Sequence, residues 1–234
     1  MDDRLLEGQL DYYRARAAEY DEWFLRKGRH DRGLEWNRGW FLELERVRRE
    51  LDRFGPTGRV LELACGTGLW TVELARHAAG ITAVDASPEV LDINRARLQE
   101  ACPGTPVSYV LADLFDWRPE KDYDVVFLGF WLSHVPPRRF AAFWDLVRSA
   151  LRPGGRAFFV DSLRAETLAE KERLGRDPRG HTTLRRLNDG REFRIVKVFY
   201  DPVDLEAQLA DMGWRFTVRT TENSFLYGFG ELHT

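Results

Sequence analysis

The chain has 234 residues, 44% hydrophobic and 31% charged, so it can bury a substantial core and is composed like an ordinary globular protein. Its net charge of −3 and pI of about 6.0 argue against a polybasic surface, so neither nucleic acid nor an anionic membrane is an expected partner. No segment approaches the roughly 20 apolar residues of a membrane span, and the N-terminal residues lack a signal-peptide pattern. Two cysteines favour neither a disulfide nor a metal site, and a cytoplasmic protein acting on small molecules is expected.

Strand and helix patterns alternate along the chain, as a doubly wound α/β sheet requires. The predicted elements, in chain order, are helices about 4–26 and 34–53, strand 58–64, helix 69–79, strand 80–85, helix 87–100, strands 106–111 and 123–129, helix 137–150, strand 156–161, a hairpin within 181–200, helix 202–212, and strands 214–219 and 225–229. The last two are predicted to pair antiparallel. The expected fold is a Rossmann-like, mostly parallel sheet of seven strands with an antiparallel last strand, a helical N-terminal segment and a hairpin insertion before the last helix.

The first strand runs directly into a turn with two glycines. Residues 60–70 read VLELACGTGLW, and Asp85 closes the next strand. Gly66 and Gly68 allow the backbone to approach a ligand closely, and a carboxylate one strand later can hydrogen-bond a ribose diol. A tight structural turn is the alternative for the glycines alone. Because Glu62, both glycines and Asp85 occur together in register, a nucleoside-cofactor site is the favoured interpretation.

The motif departs from that of a nicotinamide-dinucleotide site. Such a site needs a third glycine where this chain has Thr71, and its strand is usually apolar to the end, whereas Glu62 lies four residues before Gly66. The carboxylate predicts a cationic group nearby. S-adenosylmethionine fits, because its ammonium and sulfonium are positive and it has no phosphate. The run Glu-x-x-x-Gly-x-Gly, with Asp85 at the next strand end, resembles the class I S-adenosylmethionine-dependent methyltransferases, which implies S-adenosylhomocysteine as the product.

Ligands of open parallel sheets bind outside the carboxyl ends of the strands. Strand three ends at Asp113, which is placed to bind an adenine amino group, while Ala86 and Leu114 are placed to sandwich the ring. The alternative for Asp113 is that it only caps a short turn before Phe115. The motif supplies a ligand for that position, so the cofactor role is favoured.

The residues after strand four are expected to face the transferred methyl group. They read FWLSHVPP from Phe130, which makes His134 the candidate catalytic residue. An imidazole there can take a proton from a hydroxyl nucleophile or, when protonated, hold an anionic oxygen in line with the sulfonium. The alternative is a histidine at a helix start that is bonded to backbone.

The segment 181–200 predicts a hairpin around Asn188-Asp189-Gly190. On its return strand Lys197 shares one face with apolar residues, and a lysine in such a row needs an anionic partner. A three-residue loop with its glycine in the left-handed position would place Arg185 on that face, whereas a two-residue loop would place Arg186 there. The arginine and Lys197 would converge by bending inward or by coming from two chains of a homodimer. A solvated edge strand with a gatekeeping lysine is the alternative.

Several stretches together are similar to the phosphonate O-methyltransferases of dehydrophos biosynthesis, a pathway of secondary metabolism. They are residues 9–21, 60–71, 113–117, 131–136 and 189–199. The resemblance spans most of the chain and implies a histidine, an arginine and a lysine around an anionic acceptor, roles that fall on His134, Arg185 and Lys197. It also implies that the N-terminal helix is a lid over cofactor and substrate, which nominates Tyr13 and Tyr20. Their alternative is a core position on an amphipathic helix.

Residues 22–41 look longer and more basic than the corresponding family region. The basic residues expected to widen or recharge the pocket mouth are Arg26, Lys27, Arg29 and Arg32. Trp36 and Trp40 are expected to form a substrate wall, and a solvated charged linker is the alternative. The acceptor can therefore differ from a small phosphonate.

The expected activity is methyl transfer by in-line displacement to an oxygen of a small, anionic, phosphonate-like or carboxylate-like metabolite. A methyltransferase for a neutral amine or phenol, with His134 as general base, is the second interpretation. A non-catalytic cofactor-binding module is the third. The expected acceptor-side residues are His134, Arg185, Lys197, Tyr13 and Trp131. The expected cofactor residues are Tyr20, Glu62, Ala64, Gly66, Gly68, Trp70, Asp85, Ala86, Asp113, Leu114 and Phe130.

One domain is expected over residues 1–234. Its parts are a helical lid over 1–55, a cofactor-binding core over 58–161, a substrate-side insertion over 162–200 and the completion of the sheet over 201–234.

Overall fold

The computed structural model describes residues 3–120, 122–163 and 181–233. Its α-helices are α1 (Asp3–Arg16), α2 (Tyr20–Phe24), α3 (Leu34–Phe54), α4 (Leu69–Ala75), α5 (Pro88–Ala101), α6 (Phe140–Ala150) and α7 (Pro202–Asp211). Its strands are β1 (Gly58–Leu63), β2 (Ala78–Asp85), β3 (Val107–Leu111), β4 (Tyr123–Gly129), β5 (Leu151–Ser162), β6 (Thr182–Arg186), β7 (Glu192–Val196), β8 (Trp214–Thr220) and β9 (Phe225–Leu232). Residues 164–180 of the predicted insertion lie outside the described residues.

Seven strands form one sheet in the order β3-β2-β1-β4-β5-β9-β8. Neighbouring strands from β3 to β5 pair parallel, and β9 pairs antiparallel with both β5 and β8. The predicted fold class is confirmed, including the antiparallel last strand. β1 and β4 lie at the centre, and their apolar runs are buried because helices cover both faces of a parallel sheet.

Two apolar cores lie on the two faces of this sheet. One packs α6 and α7 around Trp144, Phe159 and Trp214. The other packs α3 and α4 around Trp40 and Phe127. Since both cores hold the central strands from either side, the carboxyl ends of β1 and β4 project from a rigid base, which is where the glycine turn and His134 begin.

The hairpin of β6 and β7 forms a separate two-stranded sheet. Arg185 lies opposite Phe193, and Gly190 closes a three-residue loop at a φ of 91°. The three-residue alternative is therefore the right one, and Arg185 shares a face with Lys197. α1 packs on β7, where the Gln9 Oε1 atom accepts a hydrogen bond from the Val196 backbone N–H at 3.0 Å.

The predicted continuous helix over 4–26 is wrong. α1 ends at Arg16, a 3₁₀ turn covers Ala17–Glu19, and α2 then begins at Tyr20. The break redirects the chain over the glycine turn, so that a Cβ atom on Gly66 would lie 3.8 Å from the Tyr20 ring.

Gly68 is expected to be intolerant of a side chain. Its φ is 90°, and a Cβ atom there would lie 2.9 Å from the Asn94 side chain. We expect Gly68→Ala to lower the free energy of unfolding by roughly 1–3 kcal/mol, because it combines a strained backbone with a close contact. Urea unfolding followed by tryptophan fluorescence measures the change. Gly104→Ala is the matched control, since no atom lies within 4 Å of its Cβ position. Equal stability of the two variants would contradict the expectation.

Candidate active site

A cleft of about 650 Å³ opens at the carboxyl ends of the parallel strands. We call it the strand-end cleft. Its described lining residues are Leu10, Tyr13, Tyr20, Ala64, Gly66, Asp85, Ala86, Ser87, Val90, Asp113, Leu114, Gly129, Phe130 and Trp131. Eight of the residues predicted for the cofactor lie here, namely Tyr20, Ala64, Gly66, Asp85, Ala86, Asp113, Leu114 and Phe130. The cleft therefore combines apolar walls with two carboxylates and exposed backbone, a combination suited to a nucleoside.

Asp85 is held by the backbone of the two turns beside it. Its Oδ2 atom accepts the Gly66 N–H at 3.0 Å, and its Oδ1 atom accepts the Ser87 N–H at 3.0 Å. Burial raises the pKa of the Asp85 carboxyl above its usual value. The backbone hydrogen bonds lower this pKa, but the effect of burial is larger. A carboxylate oxygen can accept a further hydrogen bond, so Asp85 remains competent to bind a ribose hydroxyl.

Two residues in the cleft have strained backbone. Ala64 has a φ of 52° and Phe130 a φ of 58°, a region that non-glycine residues rarely adopt. They follow the neighbouring strands β1 and β4, and both line the cleft. Strain of this kind clusters at ligand sites, because the surrounding structure must hold it in place.

Glu62 lies beneath the glycine turn and is 1% exposed. Its Oε2 atom accepts the Thr71 hydroxyl at 2.7 Å, and Thr71 Oγ1 accepts the Asn94 amide at 2.8 Å. Burial raises the pKa of Glu62 to about 8. Glu62 lines a small recess that shares Tyr20, Gly66 and other residues with the strand-end cleft. An ammonium near this recess would favour the ionised carboxylate.

The remaining predicted cofactor residues lie behind the cleft. Gly68 packs against Asn94, and the Trp70 ring lies under Gly129, where a Cβ atom would meet it at 2.8 Å. Asp113, by contrast, lines the cleft. Its Oδ1 atom also accepts a hydrogen bond from the Phe115 N–H at 2.9 Å, so it caps the turn as the alternative interpretation predicted.

A second cavity of about 600 Å³ adjoins the cleft and shares Tyr13, Tyr20 and Phe130 with it. We call it the basic cavity. Its described lining residues are Tyr12, Tyr13, Arg16, Tyr20, Trp23, Arg29, His30, Phe130, His134, Ser162, Arg185, Arg186, Ile195 and Lys197. Four of them are arginines and one is a lysine, and none of the described lining residues is Asp or Glu. Such a surface favours an anionic occupant.

His134 is neutral and held at both ring nitrogens. Its Nδ1 atom lies 2.7 Å from the Val196 carbonyl oxygen, which can only accept, so Nδ1 carries the proton. The Tyr13 hydroxyl then donates to Nε2 at 2.8 Å. Burial and then the charge of Lys197 hold the pKa of His134 well below its usual range, while burial raises the pKa of Tyr13. His134 is thus a weak base that orients the Tyr13 hydroxyl.

Lys197 meets its anionic partner inside the protein. Its Nζ atom lies 3.3 Å from Asp161 Oδ1 and 2.7 Å from Ser133 Oγ. Asp161 also accepts the Ser133 and Ser162 backbone N–H groups, at 2.8 and 2.7 Å. Lys197 and Asp161 are 4% and 1% exposed, so the pair is buried. The ion pair joins the hairpin to the ends of β4 and β5.

The structure brings Arg185, Lys197, His134 and Tyr13 to one cavity within a single chain. Trp131, predicted for the acceptor side, lines the strand-end cleft instead. The cavity also contains residues that were not predicted from the sequence, namely Tyr12, Arg16, Trp23 and His30. Arg186 was predicted only as the alternative to Arg185, and it lines the cavity as well. Arg16 could have been found from its spacing, because it lies four residues after Tyr12 and four before Tyr20. In the structure its guanidinium lies over both rings.

The expected substrate wall does not face the strand-end cleft or the basic cavity, because Trp36 and Trp40 both line a separate surface cleft. Trp40 is 1% exposed and belongs to the core beside α3, where its Nε1 atom donates to the Phe24 carbonyl at 3.1 Å. Arg32 lines the same surface cleft as Trp36. Arg26 is buried against the Trp40 ring, so this basic residue packs in the core. Of the four basic residues named for the pocket mouth, Arg29 lines the basic cavity.

Comparison with known proteins identifies the family. A model of a methyltransferase domain matches residues 60–155. DhpI in complex with SAH is 38% identical, over 100% of this chain and 99% of DhpI, with a TM-score of 0.77. DhpI in complex with SAM and HEP is also 38% identical, over 99% of each chain, with a TM-score of 0.78. The chain belongs to the class I S-adenosylmethionine-dependent methyltransferases. The predicted enzyme class and cofactor are confirmed.

Curated relatives match this methyltransferase over part of their length. The ubiquinone biosynthesis O-methyltransferase of Xylella fastidiosa is 37% identical over 102 residues, which are 43% of this chain and 40% of that enzyme. The carboxy-S-adenosyl-L-methionine synthase of Aeromonas hydrophila is 34% identical over 123 residues, 51% of this chain and 49% of that one. The chain thus aligns with less than half the length of these relatives. Among the described helices of the methyltransferase, none is long and apolar enough to cross a bilayer.

We expect cofactor binding by the methyltransferase to be linked to the ionisation of Glu62. With a pKa of about 8, the carboxyl is mostly protonated at pH 7, and the cationic cofactor favours its ionised form. We expect binding at pH 7 to release up to about one proton from Glu62 and affinity to rise with pH up to about 8. Calorimetry in two buffers of different ionisation enthalpy measures the release. Glu62→Gln should lose this contribution, and identical proton release by variant and wild type would contradict it.

The Lys197–Asp161 pair is expected to be costly to break. Lys197→Met leaves the Asp161 carboxylate buried without its cation, so we expect the free energy of unfolding to fall by about 3–5 kcal/mol. The double variant Lys197→Met/Asp161→Asn removes the stranded charge and should recover a large part of that loss. Chemical denaturation of both variants measures the difference. A single variant as stable as the wild type would show that the pair does not operate in solution.

Proposed function

We propose that this methyltransferase transfers the methyl group of S-adenosylmethionine to an oxygen of a small anionic metabolite, such as a phosphonate or carboxylate. The observation that carries the proposal is the basic cavity, which joins the strand-end cleft through Tyr13, Tyr20 and Phe130. A cofactor in the cleft would present its methyl group toward this shared wall. An acceptor in the cavity would then meet the methyl carbon surrounded by cationic side chains.

The reaction needs alignment more than proton transfer. The acceptor oxygen attacks the methyl carbon, a C–O bond forms, the C–S bond breaks, and the sulfonium leaves as the neutral thioether of S-adenosylhomocysteine. An anionic oxygen has no proton to lose, so no base is consumed. The work left for the protein is to hold the oxygen in line with the C–S bond and to exclude water.

The charge environment of His134 supports this interpretation. Burial lowers the pKa of His134 most, and Lys197 and Arg185 lower it further, so the positive field that adds to this effect would also attract an anionic acceptor. The Tyr13 hydroxyl donates a hydrogen bond to the neutral imidazole of His134 at 2.8 Å. Tyr13 lines both the basic cavity and the strand-end cleft. We assign His134 and Tyr13 to positioning of the acceptor oxygen, with Arg185 and Lys197 supplying the countercharge.

The resemblance to DhpI adds support, because one of its structures contains both SAM and HEP and its whole length aligns with this chain. A neutral hydroxyl or amine acceptor is the second candidate. It is favoured by the neutral Nε2 atom of His134, which could accept a proton, but the low pKa of that imidazole makes it a weak base.

Arg185 is the residue to change in the test. We expect Arg185→Gln to raise KM for a small phosphonate about 10-fold or more, because one charge-assisted contact is lost, while the affinity for S-adenosylmethionine stays unchanged. Initial rates with 2-hydroxyethylphosphonate and mass spectrometry of the methyl ester measure the effect. Arg194→Gln is the matched control, since Arg194 lies on β7, is exposed and is not among the residues lining the cavity.

One outcome would contradict the proposal. If the protein methylates phenols or amines but neither phosphonates nor carboxylates, the second candidate function, a neutral hydroxyl or amine acceptor, is the right one. A loss of about 10²–10⁴ in kcat for His134→Gln on such neutral acceptors would then identify His134 as a general base.

A further inference from the structure

We infer that the acceptor carries a second anionic group, which Arg29 and Arg186 bind at the mouth of the basic cavity. This inference rests on the proposed function and makes the acceptor class more specific. It is the arrangement of the basic side chains by depth that points to two groups, since Lys197 is buried whereas Arg29 and Arg186 are partly exposed.

The cavity has a buried floor and an open mouth. At the floor, Lys197 and His134 are 4% and 6% exposed. At the mouth, the side chains of Arg29 and Arg186 are 29% and 58% exposed. Under the proposed function the methyl-accepting oxygen lies beside Tyr13 and Phe130, which line both the cavity and the cleft. The mouth cations are therefore left for another part of the acceptor.

Among the described residues, Arg186 has one ion-pair partner. It follows Arg185 on β6, so the two side chains start from opposite faces of the hairpin, yet both line the cavity. Its Nε atom lies 3.3 Å from Glu192 Oε1. Among the described residues the two Nη groups have no other ion-pair partner, and two parallel N–H groups match a carboxylate or phosphate edge.

Arg29 is fixed in place from the other side of the mouth. Its Nη2 atom lies 3.3 Å from Glu19 Oε1, and its Nε atom donates to His30 Nε2 at 3.2 Å. The Oε2 atom of the same Glu19 accepts the Asn188 N–H of the hairpin loop at 2.8 Å. Glu19 thereby couples the two elements that carry Arg29 and Arg186, and the mouth is a site built by both.

The charge balance of the cavity favours the same conclusion. Its described lining residues include five arginine and lysine side chains and no carboxylate. Three carboxylates contact these cations from outside the lining: Asp161 pairs with Lys197 beneath the floor, and Glu19 and Glu192 each contact one nitrogen of a mouth arginine. An acceptor with one anionic group would leave the mouth cations without a ligand anion, whereas a carboxylate or phosphate at its far end would complete the site.

The test compares acceptors that differ in one charge only. The matched pair is 3-phosphonopropionate and 3-phosphonopropionamide, extended to homologues with one and two further methylene groups. Binding to the complex of the protein with S-adenosylhomocysteine is measured by calorimetry at low salt, where screening is weakest. We expect the carboxylate to bind about 10-fold or more tightly than its amide at the best chain length.

Charge-matched variants assign the preference to the mouth. Arg29→Gln/Arg186→Gln should reduce it to about 3-fold or less while affinity for the amide stays the same, because the floor is intact. Lys27→Gln/Arg194→Gln removes the same total charge from exposed positions that are not among the lining residues, and should keep the preference. Arg186→Gln alone serves if the double variant melts at a lower temperature than the control.

Equal affinities for carboxylate and amide at every chain length would overturn the inference, as would no binding of either compound or a preference that survives the mouth variant. Turnover separates this inference from the proposed function. Tight, mouth-dependent binding without methyl transfer would refute the proposed reaction and keep the two-anion site. Equal methylation of both members of the pair, with equal affinities, would keep the reaction and refute the second site.

Discussion

The buried ion pair between Lys197 and Asp161 is the contact on which the geometry of the basic cavity depends. It joins the hairpin to the end of β5, and Ser133 brings the turn after β4 into the same hydrogen-bonded group. Two charges leave water at high cost and persist there only when geometry and further hydrogen bonds compensate. Once Lys197 is held in this way, Val196 beside it can bind His134, and His134 can orient Tyr13.

The strand-end cleft depends on backbone geometry more than on charge. Ala64 and Phe130 adopt left-handed φ angles at neighbouring strand ends, and Asp85 is anchored by the N–H groups of both adjoining turns. The strand-end cleft is therefore shaped by elements that the central strands hold in place, while the basic cavity is assembled from α1, the hairpin and the turn after β4. Tyr13 and Tyr20 line both the strand-end cleft and the basic cavity, so the N-terminal segment connects the two.

Residues close together in the chain were the ones that the sequence analysis placed best. Glu62, Gly66 and Asp85 follow from strand register, and Arg185 follows from the length of one loop. Trp40 and Arg26 were misplaced because a charged segment with tryptophans has the same appearance whether its tryptophans face a ligand or the core. Arg185 and Arg186 were predicted as alternatives because side-chain alternation assigns them to opposite faces. Both line the cavity, since a long arginine can reach around a hairpin edge.

By itself, the sequence determined the order of the strands and helices, the seven-stranded class of the sheet and the strand ends that meet at one edge, since these follow from local patterns and from the rules of parallel sheets. Only the tertiary structure decided that Lys197 is paired with Asp161, that Trp40 lies in the core, and that Arg29 and Arg186 meet at one opening. Those outcomes depend on burial and on contacts between residues far apart in the chain, and no local pattern encodes which distant side chain will compensate a buried charge.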